Sequence, residues 1–264
     1  MVFPLAHGYR SSVDMADYLR RAPGGIRDPI VLRLALAQMA IALRAIHLGD
    51  GLTGVIHFDV KPSNMLLDGT MFVNNAEVPM LVLADFGLAR ILPESGGRLR
   101  SPVGTPGFRA PEVVRSSQKF RRPVRVTPTA DWWSFGVAAI VLATGHDTKE
   151  LWTTRSWRMG EQLQGAAFHG MDETLKDLVL TQLLVANPAK RFDSHNVDDK
   201  RDVRRFAGSL WNHAFWSYKD FSVPWQALVQ LGASPHPLRS AVTPPQSAWR
   251  PLLGRSKPRT SEHW

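Results

Sequence analysis

His57-Phe58-Asp59-Val60-Lys61-Pro62-Ser63-Asn64, followed by the apolar Met65-Leu66-Leu67, is the stretch on which the reading of this chain turns. Pro62 removes one backbone donor and disfavours a regular helix, so the polar side chains sit on a fixed loop instead of being spread around a helix. Such a loop can aim a carboxylate, an ammonium and an amide at one point. That set suits phosphoryl transfer, in which positioning and charge neutralisation do most of the work. Asp59 can orient an attacking hydroxyl, Lys61 can balance charge on the transferred group, and the amide oxygen of Asn64 can bind Mg²⁺. The same residue types also crowd ordinary surface turns, and on this stretch alone the two readings stand level.

The bulk composition limits what surrounds it. With 264 residues, 44% of them hydrophobic and 21% charged, the chain can bury a sizeable core in one or two domains. Lys and Arg number 32 against 23 Asp and Glu, a net charge of +9 that favours acidic or phosphorylated partners. Nucleic acid is the rival partner, but the basic residues are dispersed and no recognition module is visible, so it is not the expected one. There is no cysteine, hence no disulfide framework and no thiolate metal site, which suits a reducing compartment. The apolar start at residues 1–6 is too short for a signal sequence, and the longest apolar run, 132–143, is too short to cross a bilayer. The expectation is a soluble, intracellular protein with no membrane partner, in the nucleus or the cytoplasm with the nucleus slightly favoured.

Further motifs follow the loop in a fixed order. Asp85-Phe86-Gly87 comes after the apolar run Met80-Leu81-Val82-Leu83-Ala84; then come Gly104-Thr105-Pro106-Gly107-Phe108-Arg109-Ala110-Pro111-Glu112, Asp131-Trp132-Trp133-Ser134-Phe135-Gly136, and Arg191. In this order they resemble the C-terminal lobe of the eukaryotic protein kinases, over roughly residues 1–215. Lys61 with the Thr105 loop resembles the serine/threonine type. The hinge proline, VKPSN and GTPGFRAPE resemble most the cell-division-cycle kinase that fires replication origins with a regulatory subunit.

The resemblance implies a fold and a set of roles. The fold is α+β, protein kinase-like, a mainly α-helical C-lobe with short β-hairpins and almost no N-lobe. Residues 1–8 would be the last N-lobe strand and the hinge, with Phe3 as gatekeeper and the carbonyl of Pro4 and amide of Ala6 facing adenine. Residues 9–220 would be the C-lobe, and 231–264, rich in Pro, Ser and Arg, a disordered tail. The cofactors implied are ATP and Mg²⁺. Asp59, Lys61 and Thr105 take the catalytic roles; Leu66 makes an apolar floor beneath adenine; Asn64 and Asp85 hold the metal between them. Asp131 would hold the catalytic-loop backbone, and Glu112 would pair with Arg191 inside the lobe.

Local patterns fill in the scaffold. Residues 14–21 have helical character. A stronger helix starts at Pro29 with Asp28 as its cap, and Leu32, Leu36, Met39, Leu43 and Ile46 form one stripe on it. Val55 and Ile56 lead as a short strand into the catalytic loop. Residues 65–67 and 81–84 read as short strands joined by a polar, Asn-rich connection over 68–79. Residues 88–109 read as a mobile loop in which Ser95 and Ser101 are candidate phosphosites. Thr127-Pro128 opens a helix apolar on nearly all sides. Amphipathic segments over 161–168 and 172–185 complete the lobe, and His213 has a structural part. Lys119, Arg121, Arg122 and Arg125 read first as a solvated basic loop, with docking of an acidic substrate or nuclear targeting as the sharper readings.

Two departures from the family divide the functional reading. The Gly-rich loop, strand lysine and partner glutamate of the N-lobe are not in this sequence, and the arginine that clamps an activating phosphate is replaced by Phe58. One reading is an N-terminally truncated serine/threonine protein kinase that transfers the ATP γ-phosphoryl group to a protein hydroxyl, with an acidic protein substrate and a regulatory subunit as the partners the resemblance and the basic charge suggest. The other is a catalytically inactive, pseudokinase-like binding module.

Overall fold

A computed structural model describes residues 13–49, 53–73, 76–93, 97–116, 123–151, 170–194, 210, 213–218 and 221–222. The hinge with Phe3, Pro4 and Ala6, the segment 119–122, Ser95, the segment 161–168 and the tail 231–264 lie outside the described residues.

Two helices open the described chain, α1 (Met15–Arg21) and α2 (Pro29–Leu48). Asp14 accepts from the Asp17 amide and Asp28 from the Ile30 and Val31 amides, so each helix starts where a carboxylate can satisfy amides that lack intrahelical partners. The expected stripe Leu32, Leu36, Met39, Leu43 and Ile46 is buried along its length. By length and composition α2 could cross a membrane, a point the run at 132–143 had hidden, but two thirds of it is packed inside the protein.

The second central element is α4 (Thr129–Thr144), in which every residue through Leu142 is buried. Its apolar circumference leaves no face for solvent, so it forms the axis of the lobe. It begins one to two residues later than Thr127-Pro128 suggests, with Pro128 at the cap position. Between α2 and α4 lie β1 (Thr53–Ile56), β2 (Met65–Val73), β3 (Ala76–Leu83), β4 (Arg90–Pro93), β5 (Gly97–Leu99), the short helix α3 (Pro111–Arg115) and β6 (Val124–Val126). After α4 come α5 (Thr148–Leu151), α6 (Glu173–Leu178) continuing into a π-turn over Val179–Leu183, and the pair β7 (Ser217–Tyr218) and β8 (Phe221–Ser222).

The described strands make four two-stranded antiparallel sheets: β1 with β4, β2 with β3, β5 with β6, β7 with β8. The fold is a mostly helical, kinase C-lobe-like domain with small open two-stranded sheets, as the sequence implies. Two expectations need correction. The polar connection at 68–79 is largely strand, paired from Thr70↔Pro79 to Val73↔Ala76 beyond an irregularity between Leu67 and Thr70. The segment 88–109 is not simply a loop: β4 and β5 lie within it, paired to β1 and β6. The cause is the same in both places. A ladder is made by main-chain groups, which hydrophobic patterning does not report when a strand has only one neighbour.

Candidate active site

The loop from His57 to Asn64 is fastened to the buried axis by one carboxylate. Asp131, fully buried in the first turn of α4, accepts the amides of His57 (2.7 Å) and Phe58 (2.8 Å), one on each oxygen. A carboxylate in so apolar a place is stabilised only by such donors. His47, at the end of α2, adds a third with Nε2 at 2.9 Å from Asp131, while its Nδ1 lies 3.0 Å from the Ser194 hydroxyl, which also accepts from the Trp132 indole. Sequence reading missed His47 and Ser194. Their signal was a histidine in the last turn of a largely apolar helix, and a serine shortly after Arg191.

The anchoring holds Phe58 at φ +65, in the left-handed region that a bulky side chain rarely adopts. Asp85, at φ +62, is the other non-glycine residue with positive φ among the described residues. Strain of this kind, of order 1–3 kcal/mol per residue, persists where the surroundings over-determine it. Here it falls at two positions that bracket the site. The Phe58 ring is buried, so the position where an arginine was expected presents no charge.

Asp59 is the hub of the cluster. The Thr105 amide and hydroxyl donate to its Oδ1 at 2.9 and 2.6 Å, and Lys61 Nζ and Asn64 Nδ2 approach Oδ2 at 2.8 and 3.2 Å. Lys61 also donates to the Thr105 hydroxyl at 2.7 Å, closing a ring of three side chains. Burial pushes the Asp59 carboxyl up, but hydrogen bonds from Lys61 and Thr105 and the Lys61 charge outweigh it, and the group stays below its ordinary value. Thr105 reaches Asp59 because Gly104, at φ +84, lies against the Phe58 carbonyl. A Cβ there would come within 2.0 Å of that oxygen.

Asn64 is drawn inward as well. Its Nδ2 donates to the Asp59 carbonyl at 2.7 Å, and its amide oxygen takes no donor among the described residues. Its main-chain carbonyl accepts from the Ala84 amide at 2.9 Å, which sets Asp85 beside it at the end of β3. His57 Nε2 at 3.0 Å from the Ala84 carbonyl and the His57–Phe86 ring contact at 4.8 Å tie the same two loops together. Asp85 is exposed, with one carboxylate oxygen accepting the Gly87 amide at 3.2 Å. Leu66, half-buried on β2, lies in a bridge to Asp14. Asp59, Lys61, Asn64 and Thr105 thus form one hydrogen-bonded cluster, and Asp85 follows the Ala84 amide that donates to the Asn64 carbonyl, whereas Pro4 and Ala6 lie outside the described residues.

The chemistry of this donor set suits a hard cation. Among the described residues no group of three His, Cys, Asp or Glu could hold a metal alone. One carboxylate with one amide oxygen is the arrangement expected for Mg²⁺ bound largely through substrate phosphates and water. Behind the site, Arg191 Nη1 and Nη2 grip both oxygens of Glu112 at 2.7 and 3.0 Å, the buried pair the sequence implies. Ser134 donates to the Phe108 carbonyl at 2.8 Å and steadies the Thr105 segment from α4.

A helical lobe of this kind, with a catalytic-type loop pinned to its central helix, is the architecture of one half of a protein kinase. The protein kinase domain family model matches residues 4–201, and the chain belongs to that family. It is 32% identical over 242 residues to CBL-interacting protein kinase 4 of Oryza sativa subsp. japonica, covering 89% of this chain and 46% of the relative. It is 31% identical over 228 residues to the phosphorylase b kinase gamma catalytic chain, liver/testis isoform, of Bos taurus, covering 80% and 52%. Against serine/threonine-protein kinase D3 of Mus musculus the identity is 34% over 142 residues, covering 52% and 13%. The chain thus spans about half or less of the length of these relatives. None of these names singles out an origin-firing kinase.

Proposed function

We propose that this chain is a kinase-fold protein-binding module, silent in phosphoryl transfer by itself, whose catalytic loop remains folded as part of the binding surface. The observation that carries this reading is the state of the nucleotide side. Asp85, Phe86, Gly87 and Leu88 are all exposed, Val82 and Ile91 beside them are exposed too, and among the described residues the strands form only two-stranded sheets. A phosphoryl group needs a dry, preorganised enclosure for its charge to be stabilised, and an Asp85 open to water supplies little of it.

A second reading, serine/threonine protein kinase, is favoured by the Asp59 cluster. In that reading Asp59 orients the acceptor hydroxyl and takes its proton, Lys61 neutralises charge on the transferred phosphoryl, Thr105 braces both, and Asn64 and Asp85 hold Mg²⁺. The metal would supply charge neutralisation on the phosphate oxygens of ATP.

The test is calorimetric titration of ATP with and without Mg²⁺ into the chain and its Asp85→Ala variant, paired with phosphate incorporation into a protein mixture. The binding-module reading expects no Mg²⁺-dependent difference between the two proteins and no incorporation. Incorporation that disappears in Asp59→Asn would overturn it in favour of the kinase reading.

A further inference from the structure

The basic residues, dispersed along the sequence as a whole, are densest in one stretch. Between Gly97 and Val126 stand eight Lys and Arg against the single acid Glu112, so this stretch carries +7 of the net +9, and Glu112 is buried against Arg191. Folding brings two of these arginines together. In the β5–β6 ladder Arg98 is the direct partner of Arg125, with Gly97 opposite Val126 and Leu99 opposite Val124. Leu99 and Val126 are buried whereas Arg98 and Arg125 are exposed, so both arginines stand on the outward face of this two-stranded sheet. Side chains directly opposite in an antiparallel pair start about 4.5–5.5 Å apart at Cβ, and like charges so placed repel. The register holds them there, because a slip of one residue would turn Leu99 out to water. The ion pairs among the described residues do not include Arg98. Arg100 follows β5, and Arg115 lies on α3, which packs against β6; both are exposed.

We propose that the Arg98–Arg125 pair is a phosphate clamp, through which the lobe holds a partner protein bearing a phosphorylated serine or threonine. The chemistry separates phosphate from carboxylate. A phosphate ester carries about two negative charges and three acceptor oxygens, enough to take a fork of N–H groups from each guanidinium, whereas a carboxylate has one charge and two oxygens, which a single fork satisfies. Each arginine has five donors, and the clamp asks for two of them. A single-stranded nucleic acid fits less well, since the residues of β5 and β6 offer its bases no aromatic face. The excess charge of the stretch attracts an anionic partner from a distance, and the pair fixes where its phosphate docks. The inference names the partner class for the proposed binding role and rests on that role.

The experiment measures fluorescence anisotropy of one labelled peptide carrying phosphoserine, serine or glutamate at its centre, on the full chain treated with phosphatase so that no phosphate of its own competes. The phosphoserine peptide is expected to bind about tenfold more tightly than the other two, the size of one added charge-assisted contact. Arg98→Gln and Arg125→Gln should each remove most of that preference, because a phosphate held by one fork is held as a carboxylate is. Arg27→Gln, the same change of net charge on an exposed arginine before α2, should leave it intact. Without peptide, Arg98→Gln should melt no lower than the unaltered chain, since the change relieves a repulsion. A lower Tm together with lost binding would mark the arginine as structural and overturn the inference. An equal loss in Arg27→Gln overturns it in favour of general charge attraction, and competition by a short oligonucleotide as strong as by the phosphopeptide overturns it in favour of nucleic acid. Equal binding of the three peptides overturns the clamp while leaving the module reading standing. Binding of none overturns it as well, and the ATP measurements then decide the function separately.

Discussion

Glu112→Ala should be among the most damaging single changes in this protein. Arg191 is almost wholly buried, and three of its contacts besides Glu112 are fixed: Nη1 donates to the Thr129 carbonyl and Nε to the Val185 carbonyl, both at 2.9 Å, and the guanidinium lies 5.1 Å from the Trp133 ring centre. Removing Glu112 therefore leaves the cation in place with its carboxylate gone. Breaking a buried pair this way costs about 3–5 kcal/mol. For a domain of this size that is roughly 6–20 °C in Tm. The double variant Glu112→Leu, Arg191→Met removes both charges, so the penalty of an unpaired ion disappears. What remains is the loss of the donors to Thr129 and Val185, about 1–3 kcal/mol for each carbonyl left unsatisfied. The double change should thus cost less than the two single changes added together. Urea denaturation followed by circular dichroism measures Glu112→Ala, the double variant and the singles Glu112→Leu and Arg191→Met, with an unchanged slope certifying that the unfolding reaction is the same. A loss below about 1 kcal/mol for Glu112→Ala, or strict additivity in the double variant, would refute the assignment of a buried ion pair.

Two further outcomes follow from the same geometry. Asp131→Asn keeps the shape of the side chain but loses one acceptor and its charge, so the amides of His57 and Phe58 should exchange with solvent faster by tenfold or more, a change that hydrogen exchange reads residue by residue; unchanged protection would mean the loop is held by something else. Asp59 and Asp172 both lie below their ordinary value: burial raises each, and hydrogen bonds outweigh it, from Lys61 and Thr105 in the first and from Thr174, Arg33 and Leu175 in the second. A depressed carboxyl adds stability that is complete above its unfolded pKa of about 4 and is lost as the pH falls toward the folded value. Asp59→Asn and Asp172→Asn should accordingly flatten the acid limb of a stability profile below about pH 5, and a profile parallel to that of the unaltered chain would contradict the shifts.

The route from residues to fold was short where a local rule governs it. Asp28-Pro29 is a helix start because a cap carboxylate and a proline with no amide to satisfy are chemically suited to that turn, and the stripe on α2 is a direct image of its buried face. The pairing of 70–73 with 76–79 was not legible, since main-chain ladders leave no hydrophobic signature on a lone hairpin. Nor was the convergence of His47, Asp131 and Ser194, whose partners come from three distant stretches and are identified by packing alone.

By itself the sequence determined the kinase C-lobe and the residue types of the candidate site, because the order of the motifs and the chemistry of Asp59, Lys61, Asn64, Thr105 and Asp85 are written along the chain. Only the tertiary structure decided the openness of that site and which charges stand together. Whether Arg98 meets Arg125, and whether Asp85 meets water, depend on which distant segments come to rest beside them, and no local pattern encodes a neighbour that is brought in by folding.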